Sequence, residues 1–104
     1  MSHTDKYKIA KTIELSDGSE IILFDMLMAP SIVSVEDVEQ NIYRRDRHGK
    51  VIWRISAAPP VYPRSPFTGI GYDDQGRLLA YRWEGGQYQI DLNTGGATAL
   101  QLSR

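Results

Sequence analysis

The sequence predicts an all-β fold: two four-stranded antiparallel meanders, blade-like in layout, forming a sandwich or an open barrel. Three observations predict it. Short apolar runs recur, the clearest with a two-residue period. Gly-centred turns separate them, several with an Asp ahead of the Gly. A Pro-rich stretch, 58–66, divides the runs into two sets of four.

The first run, Tyr7 to Leu15, alternates. Tyr7, Ile9, Lys11, Ile13 and Leu15 fall on one side and Lys8, Ala10, Thr12 and Glu14 on the other, as in a half-buried strand. Asp17-Gly18 then turns the chain, because glycine takes positive φ at little cost. Glu20 to Met28 is nearly continuous in apolar residues, which suggests a strand covered on both faces. Pro30 interrupts the ladder. Ser34-Val35-Glu36-Asp37 has the shape of a capping box, with Val35, Val38 and Ile42 at helical spacing. One short helix near 34–40 and an ordered acidic loop both fit this stretch.

From Asn41 the strand pattern resumes. Asn41 to Asp46 pairs with Lys50 to Ser56, and Phe67 to Asp73 with Arg77 to Glu84, across Asp-x-x-Gly turns at 46–49 and 73–76. The Asp side chain accepts backbone N–H groups ahead of it and the Gly absorbs positive φ. Glu84 to Gln87 turns into Tyr88 to Leu92, and Asn93 to Gly96 turns into Ala97 to Leu102. The Pro-rich stretch is stiff and cannot pair as an inner strand, so it reads as a connector inside one domain, 1–104, with residues 1–5 a flexible tail.

Two segments echo each other: Asn41 to Trp53 and Tyr88 to Leu100 both run strand, Asp-containing turn, Gly, strand. The pattern aromatic–x–x–Asp–x–x–Gly–x–x–x–Trp, Tyr43 to Trp53, resembles the quinoprotein-type β-propeller repeat. The chain also resembles small uncharacterised bacterial all-β proteins. The resemblance implies blade-like four-stranded sheets. A propeller needs several blades to close, and this chain has material for two. It also lacks the residues of a quinone-binding enzyme, so the resemblance transfers no site residues.

Composition narrows the function. The 104 residues carry a net charge of −1 and no cysteine, so no global field steers the chain onto nucleic acid and no thiolate metal site or disulfide exists. The N-terminus has no apolar leader, and Ile21 to Val35, interrupted by Asp25 and Pro30, is too short for a membrane span. A cytoplasmic protein with no membrane association is expected. Histidine occurs only at 3 and 48, neither with a ligand partner at metal-site spacing, and no serine sits in a nucleophile elbow. No catalytic residue, metal or cofactor is expected.

Two surfaces remain. Trp53, Tyr62, Phe67, Tyr81, Arg82, Trp83 and Tyr88 are either core or a binding surface rich in interface-prone residues. They support a non-enzymatic interaction protein that binds another protein or a second copy of itself. The alternative is a nucleic-acid module on the basic hairpin Arg44, Arg45, Arg47, Lys50 and Arg54, with Tyr43 and Trp53 interleaved. The near-zero net charge weighs against it.

Overall fold

The computed structural model describes residues 7–100; the proposed tail, His3 and the last residues of the eighth predicted strand lie outside that range. Eight strands form: β1 (Ile9–Glu14), β2 (Glu20–Phe24), β3 (Ile42–Arg45), β4 (Val51–Arg54), β5 (Phe67–Tyr72), β6 (Leu78–Arg82), β7 (Gln87–Ile90) and β8 (Ala97–Ala99). They make two antiparallel sheets in the orders β1-β2-β3-β4 and β5-β6-β7-β8. The sheets stack as a sandwich around one shared core and do not close into a barrel.

One turn geometry ends four hairpins. In each, a Gly N–H bonds the carbonyl three residues back: Gly18 to Leu15, Gly49 to Asp46, Gly76 to Asp73 and Gly85 to Arg82. All four glycines have positive φ, as a type I turn closed by a G1 bulge requires. Asp46 Oδ1 accepts the N–H groups of His48 and Lys50, and Asp73 Oδ1 those of Gln75 and Arg77, as the Asp-x-x-Gly pattern predicts. The β7–β8 turn is one residue longer. Gly95 N–H reaches the carbonyl of Asp91, four residues back.

The inner layer is built by alternation. Ile21, Leu23, Ile42, Trp53 and Ile55 of the first sheet face Phe67, Ile70, Leu78, Ala80, Tyr88 and Ile90 of the second. The predicted double coverage is present over Glu20–Phe24, but the strand ends there: residues 25–28 of the expected Glu20–Met28 run leave the ladder ahead of Pro30, and Met28 is exposed. Ile22 and Phe24 point to the opposite face, where Tyr43, Met26 and Val38 form a second apolar layer. Val38 belongs to α1 (Val35–Glu39), which starts at Ser34, whose hydroxyl accepts Asp37 N–H at 3.1 Å. The short helix and not the loop is therefore realised. Only Val38 of its predicted apolar stripe turns inward; Val35 is exposed and Ile42 already belongs to β3.

The edges are irregular. The register slips by one residue in β1 at Ala10, in β4 at Ile52 and in β5 at Thr68. Such bulges leave residues unpaired and bend the strand, which discourages another chain from adding there. The β1 bulge also corrects the alternation expected there. Ile13 packs on the shared core, whereas Tyr7 lies on the other face, edge-on to Phe24 at 6.1 Å.

Polar groups stitch the layers. Asn41 is fully buried. Its Nδ2 donates to the carbonyls of Phe24 (2.7 Å) and Phe67 (2.8 Å), and its Oδ1 accepts Phe67 N–H (2.9 Å). Lys11 Nζ donates to Ile70 carbonyl at 2.8 Å, joining the β1 and β5 edges. On the far edge Ser56 pairs with Gly96 in a parallel bridge. Trp53 lies flat on Gly95, and its indole N–H donates to Leu92 carbonyl at 2.7 Å.

Three outcomes follow from this geometry. Asn41→Leu removes three buried hydrogen bonds and strands their backbone partners, so it should lower stability by about 3 kcal/mol or more in urea denaturation. Gly95→Ala should cost about 3 kcal/mol by the same measurement, since its Cβ would sit 2.6 Å from the Trp53 ring at a φ of +79°. Hydrogen bonds from Ser19 to Asp17, and from Lys50 and His48 N–H to Asp46, hold both carboxyls below their usual range. A depressed carboxyl stabilises the fold above its unfolded pKa of about 3.9, and the gain is lost as pH falls through the folded value. Urea midpoints measured between about pH 6 and pH 2 should fall less steeply for an Asp17→Asn/Asp46→Asn double variant.

Candidate functional site

The structure separates the aromatic candidates into two groups. Trp53, Phe67, Arg82 and Tyr88 are interior, each less than a tenth exposed, so they cannot present a docking surface. Tyr62, Tyr81 and Trp83 are 62%, 41% and 60% exposed. Tyr81 continues the outer face of β6 and lies across Gly69. The sequence predicts strand through Glu84, but β6 ends at Arg82 and Trp83 lies in the turn closed by Gly85, exposed like Tyr81.

Arg82 is a buried cation held by ring faces and a carbonyl. Its guanidinium carbon sits 4.6 Å from the Phe67 ring centre and 4.9 Å from that of Tyr88. Nη1 donates to Ala58 carbonyl (2.7 Å) and to the Tyr88 hydroxyl (2.8 Å), which ties the Pro-rich connector to the second sheet. Arg82 Nε has no hydrogen-bond partner.

The basic hairpin is largely engaged inside the molecule. Arg44 bonds Asp17 and the carbonyl of Leu92, and Arg45 bonds Glu20. Arg54, on the predicted basic surface, lies over the Tyr43 ring under α1 and bonds Asp37, Glu36 carbonyl and Gln40 carbonyl. Arg47 and Lys50 are the two exposed cations of the five. A cavity of about 460 Å³ beside this hairpin is lined by Glu20, Arg45, Asp46, Arg47 and His48, and is broadly open. Among the described residues, no three His, Cys, Asp or Glu side chains gather in metal-binding geometry.

The apolar surface is concentrated elsewhere. Among the described residues, the five most exposed large apolar side chains are Ile32, Met28, Val61, Tyr62 and Trp83. All lie in the segment before α1, in the connector or in the β6–β7 turn. Leu27, Met28, Tyr62, Pro63, Pro66 and Trp83 line a groove of about 350 Å³. Its walls are pinned. Arg64, in the left-handed region at φ 63°, donates from its backbone N–H to Glu39 at 2.7 Å. Its guanidinium donates to the carbonyls of Val33 (2.8 Å) and Pro30 (2.9 Å), holding the two loops together. Glu84 accepts the N–H groups of Val61 (3.0 Å) and Tyr62 (3.3 Å). Ser65 Oγ closes the bend on Tyr62 carbonyl at 2.7 Å. Both charges at the groove are thus engaged, and its exposed lining is mainly apolar with a few backbone polar groups.

Tyr62 and Trp83 were among the sequence candidates; Leu27, Met28, Ile32 and Val61 were not. Their signal, apolar residues within three positions of Pro30 or next to Pro60, is the same as that of a strand end. A model for one protein family, a domain of unknown function (DUF7957), matches residues 6–102. The chain belongs to this family. The match spans both sheets and both groove walls, so the family carries the whole sandwich. No curated protein and no solved structure matches the chain. Among the described residues no helix is long and apolar enough to cross a membrane.

The Arg64 anchor is testable. Arg64→Ala should raise amide exchange of Val61 and Tyr62 by about tenfold or more while leaving the β2 and β3 amides unchanged, read by hydrogen exchange.

Proposed function

We propose that the chain is a non-enzymatic protein-interaction module, and that its binding site is the groove bounded by Met28, Tyr62 and Trp83. One observation carries this reading: the most exposed apolar side chains cluster on loops whose backbones are held by Arg64 and Glu84. Pre-ordered apolar walls lower the entropy lost on binding, and a contiguous exposed apolar patch is the usual mark of an interaction site. A Trp and a Tyr at its centre fit the composition of interface hot spots. With its charges engaged, the groove suits an uncharged apolar polypeptide segment. Aromatic-lined grooves of this kind take extended, proline-containing segments.

The test is an NMR titration with a short proline-rich peptide. Expected are shifts at the Trp83 indole N–H and at Tyr62, lost in Trp83→Ala, with thermal stability unchanged because Trp83 is mostly exposed. No perturbation of these signals up to about 10 mM peptide would end the proposal.

A further inference from the structure

We infer that the bend at 62–65 is a hinge held shut by Arg64, and that its release lets two copies of the chain exchange halves, the sheet β5–β8 of each packing on the sheet β1–β4 of the other. Each sheet is made of four consecutive strands, and among the described residues the chain passes from one sheet to the other once, through 57–66. The joins between the sheets do not depend on that passage. Asn41 bonds Phe67, Trp53 bonds Leu92 and Ser56 pairs with Gly96 through groups that a second copy presents identically. The shared apolar core draws on both sheets in the same way. A closed chain and an exchanged pair therefore differ in the connector alone.

Strain in the connector sits at one place. Pro63 and Arg64 form a turn, and Ser65 Oγ closes it on Tyr62 carbonyl at 2.7 Å. Proline followed by a residue of positive φ is the layout of a type II turn, whose third position ordinarily needs glycine or asparagine. Here that residue is Arg64, at φ 63°, the one non-glycine residue with positive φ among the described residues. Its Cβ crowds the following carbonyl. Three bonds to the first half hold it there: its N–H to Glu39, and its guanidinium to the carbonyls of Val33 and Pro30. Arg64 is thus both the strain and the latch, as expected of a backbone outlier that its surroundings over-determine. The pins ahead of the bend do not resist opening. Ala58, Val61 and Tyr62 are held by Arg82 and Glu84 of the second half, and an exchanged pair remakes these bonds between copies. Straightened, the connector carries prolines at 59, 60, 63 and 66, which favour extended backbone.

The experiment is refolding of the full chain from urea at about 500 µM, dilution to about 5 µM and separation by size, because an exchanged pair forms by mass action but comes apart only when the sandwich opens. The wild-type chain is expected as mainly monomer. Arg64→Ala removes the latch and keeps the strain, so its dimer-to-monomer ratio should exceed that of wild type by about tenfold or more. Arg64→Gly removes both, and its ratio should fall back by about tenfold from that of Arg64→Ala. The two variants lack the same guanidinium and differ only in their tolerance of positive φ. In an Arg64→Ala dimer refolded from isotope-labelled and unlabelled chains together, the Trp53 ring of one copy should give NOE signals to Gly95 of the other, the two groups that pack together in the closed chain. An Arg64→Ala chain no more dimeric than wild type overturns the inference. Equal ratios in the two variants also overturn it, since backbone strain then plays no part. A dimer without the Trp53–Gly95 signal between copies does the same, because its interface then lies elsewhere.

Discussion

The placement of one sheet on the other depends on the Asn41 amide. It sits at the start of β3, where water cannot reach, and answers three backbone groups at once: the carbonyl ending β2 and both polar groups of Phe67, the first residue of β5. An unpaired buried backbone group is costly, so this join has one workable geometry. Once Phe67 is fixed beside Phe24, the connector 57–66 must run between the end of β4 and that point. Arg82 then catches the connector at Ala58 and Arg64 catches it against the loop at 30–33. The apolar groove is the outer surface of this constrained path.

The far edge is joined through a turn that departs from the others. Four hairpins close with one repeated turn, whereas the β7–β8 turn carries an extra residue. The carbonyl of Leu92 in that wider turn accepts both Trp53 Nε1 and Arg44 Nη1. The flat face of Gly95 supports the Trp53 ring. A side chain from the first sheet thus finds both a hydrogen-bond acceptor and an apolar platform on the second. The equivalent turn of the first sheet ends at Gly49, where a Cβ would meet no neighbour within 4 Å.

Much of this was legible in the sequence, because hairpins are local. Period-2 alternation, Asp-to-Gly turns and the Pro-rich divider identify eight strands in two sets, and the apolar run from Glu20 to Met28 announces a doubly covered strand, although its last four residues fall outside β2. The departures come from information that is not local. A single unpaired residue at Ala10 sends Tyr7 to the face opposite the one its spacing implied. Arg54 follows the alternation outward, yet α1 lies over it and turns that position into a half-buried bridge. Trp83 reads as strand until Gly85 is seen to close the turn on Arg82. The groove was only half visible. Tyr62 and Trp83 stand out by residue type, whereas Leu27 and Met28 resemble core residues until the surrounding loops show that nothing covers them.

The division of labour between strands and loops bears on how such a chain can diversify. Trp53, Asn41, Gly95 and Arg82 belong to the packed layers, where a change of one group disturbs several neighbours. Met28, Val61 and Trp83 are exposed on loops whose backbones are held by other groups, Arg64 at 30–33 and Glu84 at 61–62 among them, so a change there touches fewer neighbours. This outer surface can therefore change residue by residue while the packing of the sandwich beneath it stays intact.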